Sequence, residues 1–129
     1  MFIGIMKEIY RVCAADAVVK IIVPHPRHDH FLGDPSHVRP IIMETMLLFS
    51  KEMNRKWELE DNSNTPFATY LDVDFEVLNA EYLLDPVWEK KISAEGLSLE
   101  VEKERMTEAL RTHNNVVQQI TIVLKAVKS

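Results

Sequence analysis

The chain has 129 residues, of which 47% are hydrophobic and 27% charged, and a formal net charge of -5. That balance is typical of a globular chain with one core, and the sequence is read as a single α+β domain over residues 1–129. The acidity argues against nonspecific nucleic-acid binding, which needs a basic surface to displace counterions from phosphates.

The rare residues remove further classes. Glycine occurs at Gly4, Gly33 and Gly96 only, so no glycine-rich phosphate loop can be assembled. Few glycines also argue against small sandwiches and barrels, which need many tight turns. Cys13 is the single cysteine, which excludes an intramolecular disulfide and a thiolate zinc site within the chain. A lone thiol suits a reducing compartment. The N-terminal apolar stretch lacks a basic leader, and no run reaches membrane-spanning length. A cytoplasmic location without membrane contact is the expectation.

Residues 2–14 place Phe2, Ile5, Met6, Ile9, Val12 and Cys13 at helical spacing, with Lys7, Glu8 and Arg11 opposite. Cys13 on that stripe reads as a small apolar residue rather than a reactive thiol. Residues 17–23 are largely β-branched and mostly apolar, and Pro24 stops them, so a strand is expected. Pro24 to Pro35 carries three prolines and a glycine and reads as a loop. Over 36–55 the helical period returns through Ile42, Met46, Phe49 and Met53, with regular helix expected from Pro40.

Residues 60–66 are polar turn chemistry. Strict alternation over 67–77 predicts a strand with Phe67, Thr69, Leu71, Val73, Phe75 and Val77 on its buried side. Trp57 and Leu59 could pair with it, and residues 87–92 could add a strand after the Asp85-Pro86 turn. Residues 78–84 suit helix and strand alike.

Ser98 is a good N-cap for a long C-terminal amphipathic helix over 99–127. Met106, Leu110, His113, Val117, Ile120, Leu124 and Val127 follow steps of four and three, a heptad seam with His113 its polar member. A helix of that length would span roughly 45 Å, against a radius of gyration of about 14 Å for such a chain. Part of the seam would overhang, so a homo-oligomer through helix 99–127 is expected. Asn114-Asn115 marks where such a helix would break instead. The architecture expected is a small, mainly antiparallel sheet packed with helices.

Two places could carry chemistry. His25, His28, His30 and His37 crowd one segment with Arg27, Asp29, Asp34 and Arg39. Arg27, His28, His30 and Arg39 could bind an anionic small molecule such as a nucleotide, or a protein partner. His25, His28 and His30 could instead ligate a divalent transition metal for hydrolysis, although the spacing is not the His-Glu-x-x-His of a zincin helix. The ordinary alternative is polar surface. Asp72, Asp74 and Glu76 would share one strand face, as magnesium-dependent phosphoryl chemistry requires, or as solubility of an edge strand requires. Glu89 and Lys91 beyond them give a superficial likeness to a metal-dependent nuclease core. No nucleophilic triad is visible and no resident cofactor is expected. The sequence points first to a small oligomeric binding or regulatory protein, and second to a metal-dependent hydrolase.

Overall fold

The computed structural model describes residues 1–93 and 96–129. Their order is α1 (Phe2–Val12), β1 (Val18–Pro24), α2 (Asp29–Leu32), α3 (Met43–Leu47), α4 (Lys51–Leu59), α5 (Phe67–Leu71), β2 (Phe75–Leu84), α6 (Pro86–Ile92), α7 (Leu99–Thr112) and β3 (Val117–Ala126). The strands pair in the order β1-β3-β2. The expected α+β class with an antiparallel sheet holds. Ala126 N–H donates to Ala17 O and His25 N–H to Gln118 O on one side of β3. On its other side Val127 N–H donates to Asp74 O and Asp85 N–H to Val116 O. Both sets of contacts run in opposite chain directions, the antiparallel pattern. Among the described residues, no helix is long and apolar enough to cross a membrane.

The chain gathers into two compact units. The first comprises Met1–Ile21, Met43–Ala80 and Ile122–Ser129. Its core holds Met6, Met46, Phe49, Val73, Phe75, Ile122 and Leu124, all at most 1% exposed. Aromatic edges and faces interlock there: Phe2 meets Phe49 edge-on at 5.8 Å, Phe67 stacks on Phe49 at 5.5 Å, and Tyr10 meets Phe75 edge-on at 5.4 Å. Lys128 closes the end of α1, its ammonium donating to Cys13 O. The second unit comprises Ile22–Ile42 and Glu81–Thr121. There α6 packs on α7, with Ile92 and Ala109 buried, and Val117 and Ile120 are buried on β3 with Val116 just before it.

Helix α1 and strand β1 lie where the sequence placed them. The C-terminal helix does so only in part. Ser98 Oγ accepts from Val101 N–H at 3.3 Å and starts α7 as expected, but the helix ends at Thr112 and residues 117–126 form β3. His113 has extended backbone (φ -131, ψ 150) and Asn115 is left-handed (φ 60). The reason is local. A left-handed asparagine cannot continue a helix. Beyond it, Val116, Val117, Ile120, Thr121, Ile122 and Val123 are β-branched and prefer extended backbone. The helix over 99–127 and its heptad seam are therefore corrected, and the overhang that argued for a second subunit goes with them.

Three further expectations change. The helix expected over 36–55 is two pieces, because Ser50 adopts extended backbone and its side chain caps α4 at Met53 N–H. The alternating stretch 67–77 opens as helix α5, stops at left-handed Asp72 (φ 52), and becomes strand only from Phe75, continuing through the ambiguous 78–84. Trp57 and Leu59 sit in α4, so they pair with no strand. Residues 87–92 are helical because Asp85 caps Val87 N–H and Pro86 occupies the first turn, a helix start that also reads as a turn. The loop Pro24–Pro35 contains the single helical turn α2.

Candidate functional site

The histidine-rich segment lies in the second unit and is built by local hydrogen bonds. Proline leaves it without a ladder, so side chains replace the missing backbone partners. His25 Nδ1 accepts from Arg27 N–H at 3.1 Å, and His28 Nδ1 accepts from His30 N–H at 3.1 Å. Asp34 Oδ1 accepts from Ser36 N–H at 2.9 Å. Each side chain thus reaches a backbone amide two residues on, the geometry of an Asx turn with imidazole standing in for carboxylate at the first two.

Longer-range contacts fix this segment in place. His28 is 3% exposed, and its Nε2 lies 2.9 Å from Asp85 Oδ2. With Nδ1 accepting, Nε2 must donate, which assigns the Nε2–H tautomer. The His28 bond, and after it the Val87 N–H bond, hold the Asp85 carboxyl below the usual carboxylate range. Asn115 supplies the other tie. Its N–H donates to Arg27 O at 2.9 Å, its Oδ1 accepts from Asp29 N–H at 2.8 Å, and its Nδ2 donates to Asp29 Oδ2 at 3.3 Å.

These ties present His30 and His37. His37 stacks on Phe31 with ring centres 5.7 Å apart, and its Nδ1 donates to His30 O at 3.1 Å. That bond turns Nε2 of His37 outward, 3.8 Å from Asp34 Oδ2. His30 and His37 then line a cleft of about 350 Å³ with Ile22, Val23, Pro24, Gln118 and Gln119. Three apolar residues of β1 form one wall, and two imidazoles and two carboxamides supply polar atoms. Such a mixture of apolar wall and few polar groups is how small-molecule sites are generally composed.

The sequence-predicted residues divide. His30 is in the cleft. His28 supports it from beneath, with both ring nitrogens engaged. Arg27 and Arg39 are exposed and neither lines the cleft. The trio His25, His28 and His30 is not gathered as a ligand set: among the described residues, no group of three or more His, Cys, Asp or Glu is placed to hold a metal ion. His25 and His28 each give Nδ1 to a backbone amide, and His28 gives Nε2 to Asp85.

The acidic group at 72–76 is not a shared face either. Left-handed Asp72 breaks the alternation, and its carboxylate pairs with Lys51 Nζ at 2.6 Å. That bond lowers the Asp72 pKa and raises that of Lys51. Asp74 Oδ1 accepts from Lys51 N–H at 3.0 Å, and Glu76 pairs with Lys125 on β3 at 3.1 Å. Each carboxylate has a separate structural partner.

Gln118 and Gln119 were not anticipated, because the heptad reading put them inside a helix. The β-branched residues around them were the available signal. The chain matches no protein-family model, no curated protein and no solved structure.

Proposed function

We propose that this protein is a binding protein without catalysis, whose site is the cleft bearing His30 and His37, and whose ligand is a small anionic molecule of nucleotide type. The observation that carries the reading is the convergence of two imidazoles and two carboxamides on one cleft of about 350 Å³ beside an apolar wall. That volume lies in the small-molecule range, above about 300 Å³. The His30 imidazole N–H and the carboxamide N–H groups suit phosphate or carboxylate oxygens, and the Ile22–Pro24 wall suits the face of a base. Catalysis is left out of the reading because His28, the imidazole bound to the Asp85 carboxylate, already spends both ring nitrogens on protein partners. A general base needs one nitrogen within reach of substrate.

Isothermal titration with nucleoside monophosphates and with inorganic phosphate tests the reading. Saturable binding of a nucleotide is expected. His30→Ala or Gln118→Ala should weaken it about tenfold, the scale of a lost hydrogen bond to a charged group. Arg27→Ala should change it little. Failure of every nucleotide and of phosphate to bind at millimolar concentration would overturn the reading, as would turnover of a bound nucleotide.

A further inference from the structure

A second cleft, of about 590 Å³, opens in the first unit. Gly4, Lys7, Glu8 and Arg11 line it from one face of α1, following the helical steps of three and four. Half-buried Leu71 at the end of α5 gives it an apolar side, and Tyr10, Val73 and Lys128 also line it.

The charges around this cleft are almost all spent. Glu8 holds the Arg11 guanidinium through two bonds, to Nε and Nη2. Asp72 holds Lys51. Lys128 donates to Cys13 O and lies over the Tyr10 ring at 4.6 Å. Lys7 differs: it lines the cleft and has no ion pair or hydrogen bond among the described residues. The uncompensated charge is therefore positive.

Gly4 is the second observation. Glycine weakens a helix relative to alanine. Neither of the usual reasons for tolerating it applies. Gly4 does not have positive φ, and a Cβ built there meets nothing within 4 Å. What its missing side chain does is leave room beside Lys7.

We propose that this cleft binds an organic monoanion, its carboxylate paired with Lys7 and its aliphatic body lying along Leu71 in the space beside Gly4. A carboxylate head satisfies the Lys7 ammonium. An aliphatic body removes the half-buried Leu71 side chain from water. The cleft belongs to the first unit, so the proposal stands independently of the His30 site.

The test is calorimetric titration of the full chain with straight-chain carboxylates from acetate to octanoate. Affinity should rise about threefold to fourfold for each methylene that becomes buried. Lys7→Met should weaken octanoate binding about tenfold. Gly4→Leu should abolish it without lowering the thermal midpoint, since the new side chain enters open space and improves helix propensity. Should the leucine variant fail to fold, Gly4→Ala serves the same purpose, with weaker binding at equal or higher midpoint. His30→Ala should leave octanoate affinity unchanged. No saturable octanoate binding, or no effect of Lys7→Met, or no dependence on chain length, would overturn the proposal.

Discussion

His28 Nε2 and Asp85 Oδ2 meet at 2.9 Å across 57 residues of sequence, and each side chain is at the same time the N-cap of a helix. His28 caps α2 through Nδ1, and Asp85 caps α6 through Oδ1. One contact therefore locks two helix starts to each other, and α2 carries His30 into the cleft. Removing either partner disturbs both helices, and removing Asp85 leaves the buried His28 Nε2 unpaired.

His28→Ala removes the cap of α2 and the bond to Asp85 together. A loss of about 2 kcal/mol is expected, the sum of one cap and one side-chain hydrogen bond. His28→Asn separates the two. Asparagine is a preferred cap but is too short to reach the carboxylate, so it should recover roughly half the loss. Urea unfolding of the three proteins measures this. Equal losses for the two variants would mean that the cap contributes nothing.

Asp85 gives a pH dependence whose sign is fixed. Its carboxyl is held below the ordinary carboxylate value by His28 and Val87 N–H. A depressed carboxyl stabilises the folded chain above the unfolded value of about 3.9, and that contribution disappears as pH falls through the lower folded value. Asp85→Asn cannot titrate. The midpoint gap between wild type and Asp85→Asn should therefore be present at about pH 7 and should shrink below about pH 4. A gap independent of pH would show that the carboxylate charge is not what the pair uses.

What the sequence made legible was local. The stripe of α1 and the apolar run of β1 were readable because one periodicity dominates each. The segment 106–127 was not, because its apolar residues satisfy two periods at once. Met106, Leu110, Val117, Ile120 and Leu124 step by three and four, or by their sum. Yet Ile120, Ile122, Leu124 and Ala126 also alternate, and in the structure all four are buried on β3. Backbone preference at Asn115 and β-branching decided between them. Asp85-Pro86 was ambiguous in the same way, as turn and as helix start. At the site, the crowding of histidines was visible. Which ones face outward was not, because that depends on Asp85 and Asn115, far away in sequence.

Asn54 is 4% exposed and joins α4 to α5. Its Nδ2 donates to Leu48 O at 3.1 Å, and its Oδ1 accepts from Thr69 N–H at 3.3 Å. Asn54→Ala removes the partner of the Thr69 amide, while Leu48 O keeps its bond from Ala68 N–H, for an expected cost of about 1–3 kcal/mol. Glu52→Ala, on the exposed side of the same helix, should stay within about 0.5 kcal/mol. Thermal or urea unfolding separates the two. Similar effects would place the stability of this helix pair in packing rather than in the asparagine.

Asn115 combines a conformational and a bonding role that substitutions can divide. It is left-handed (φ 60), which asparagine tolerates better than alanine. Its side chain also makes two bonds to Asp29. Asn115→Gly keeps the backbone geometry and loses the side-chain bonds. Asn115→Ala loses the bonds and adds strain of about 1 kcal/mol. The expected order of stability is wild type, then glycine, then alanine, with about 2–3 kcal/mol between the ends. Because Asn115 Oδ1 accepts from Asp29 N–H, hydrogen exchange at that amide should quicken in both variants. If glycine matches wild type in stability and in exchange at Asp29, the side chain is not holding the loop. The placement of His30 would then rest on His28 and Asp85 alone.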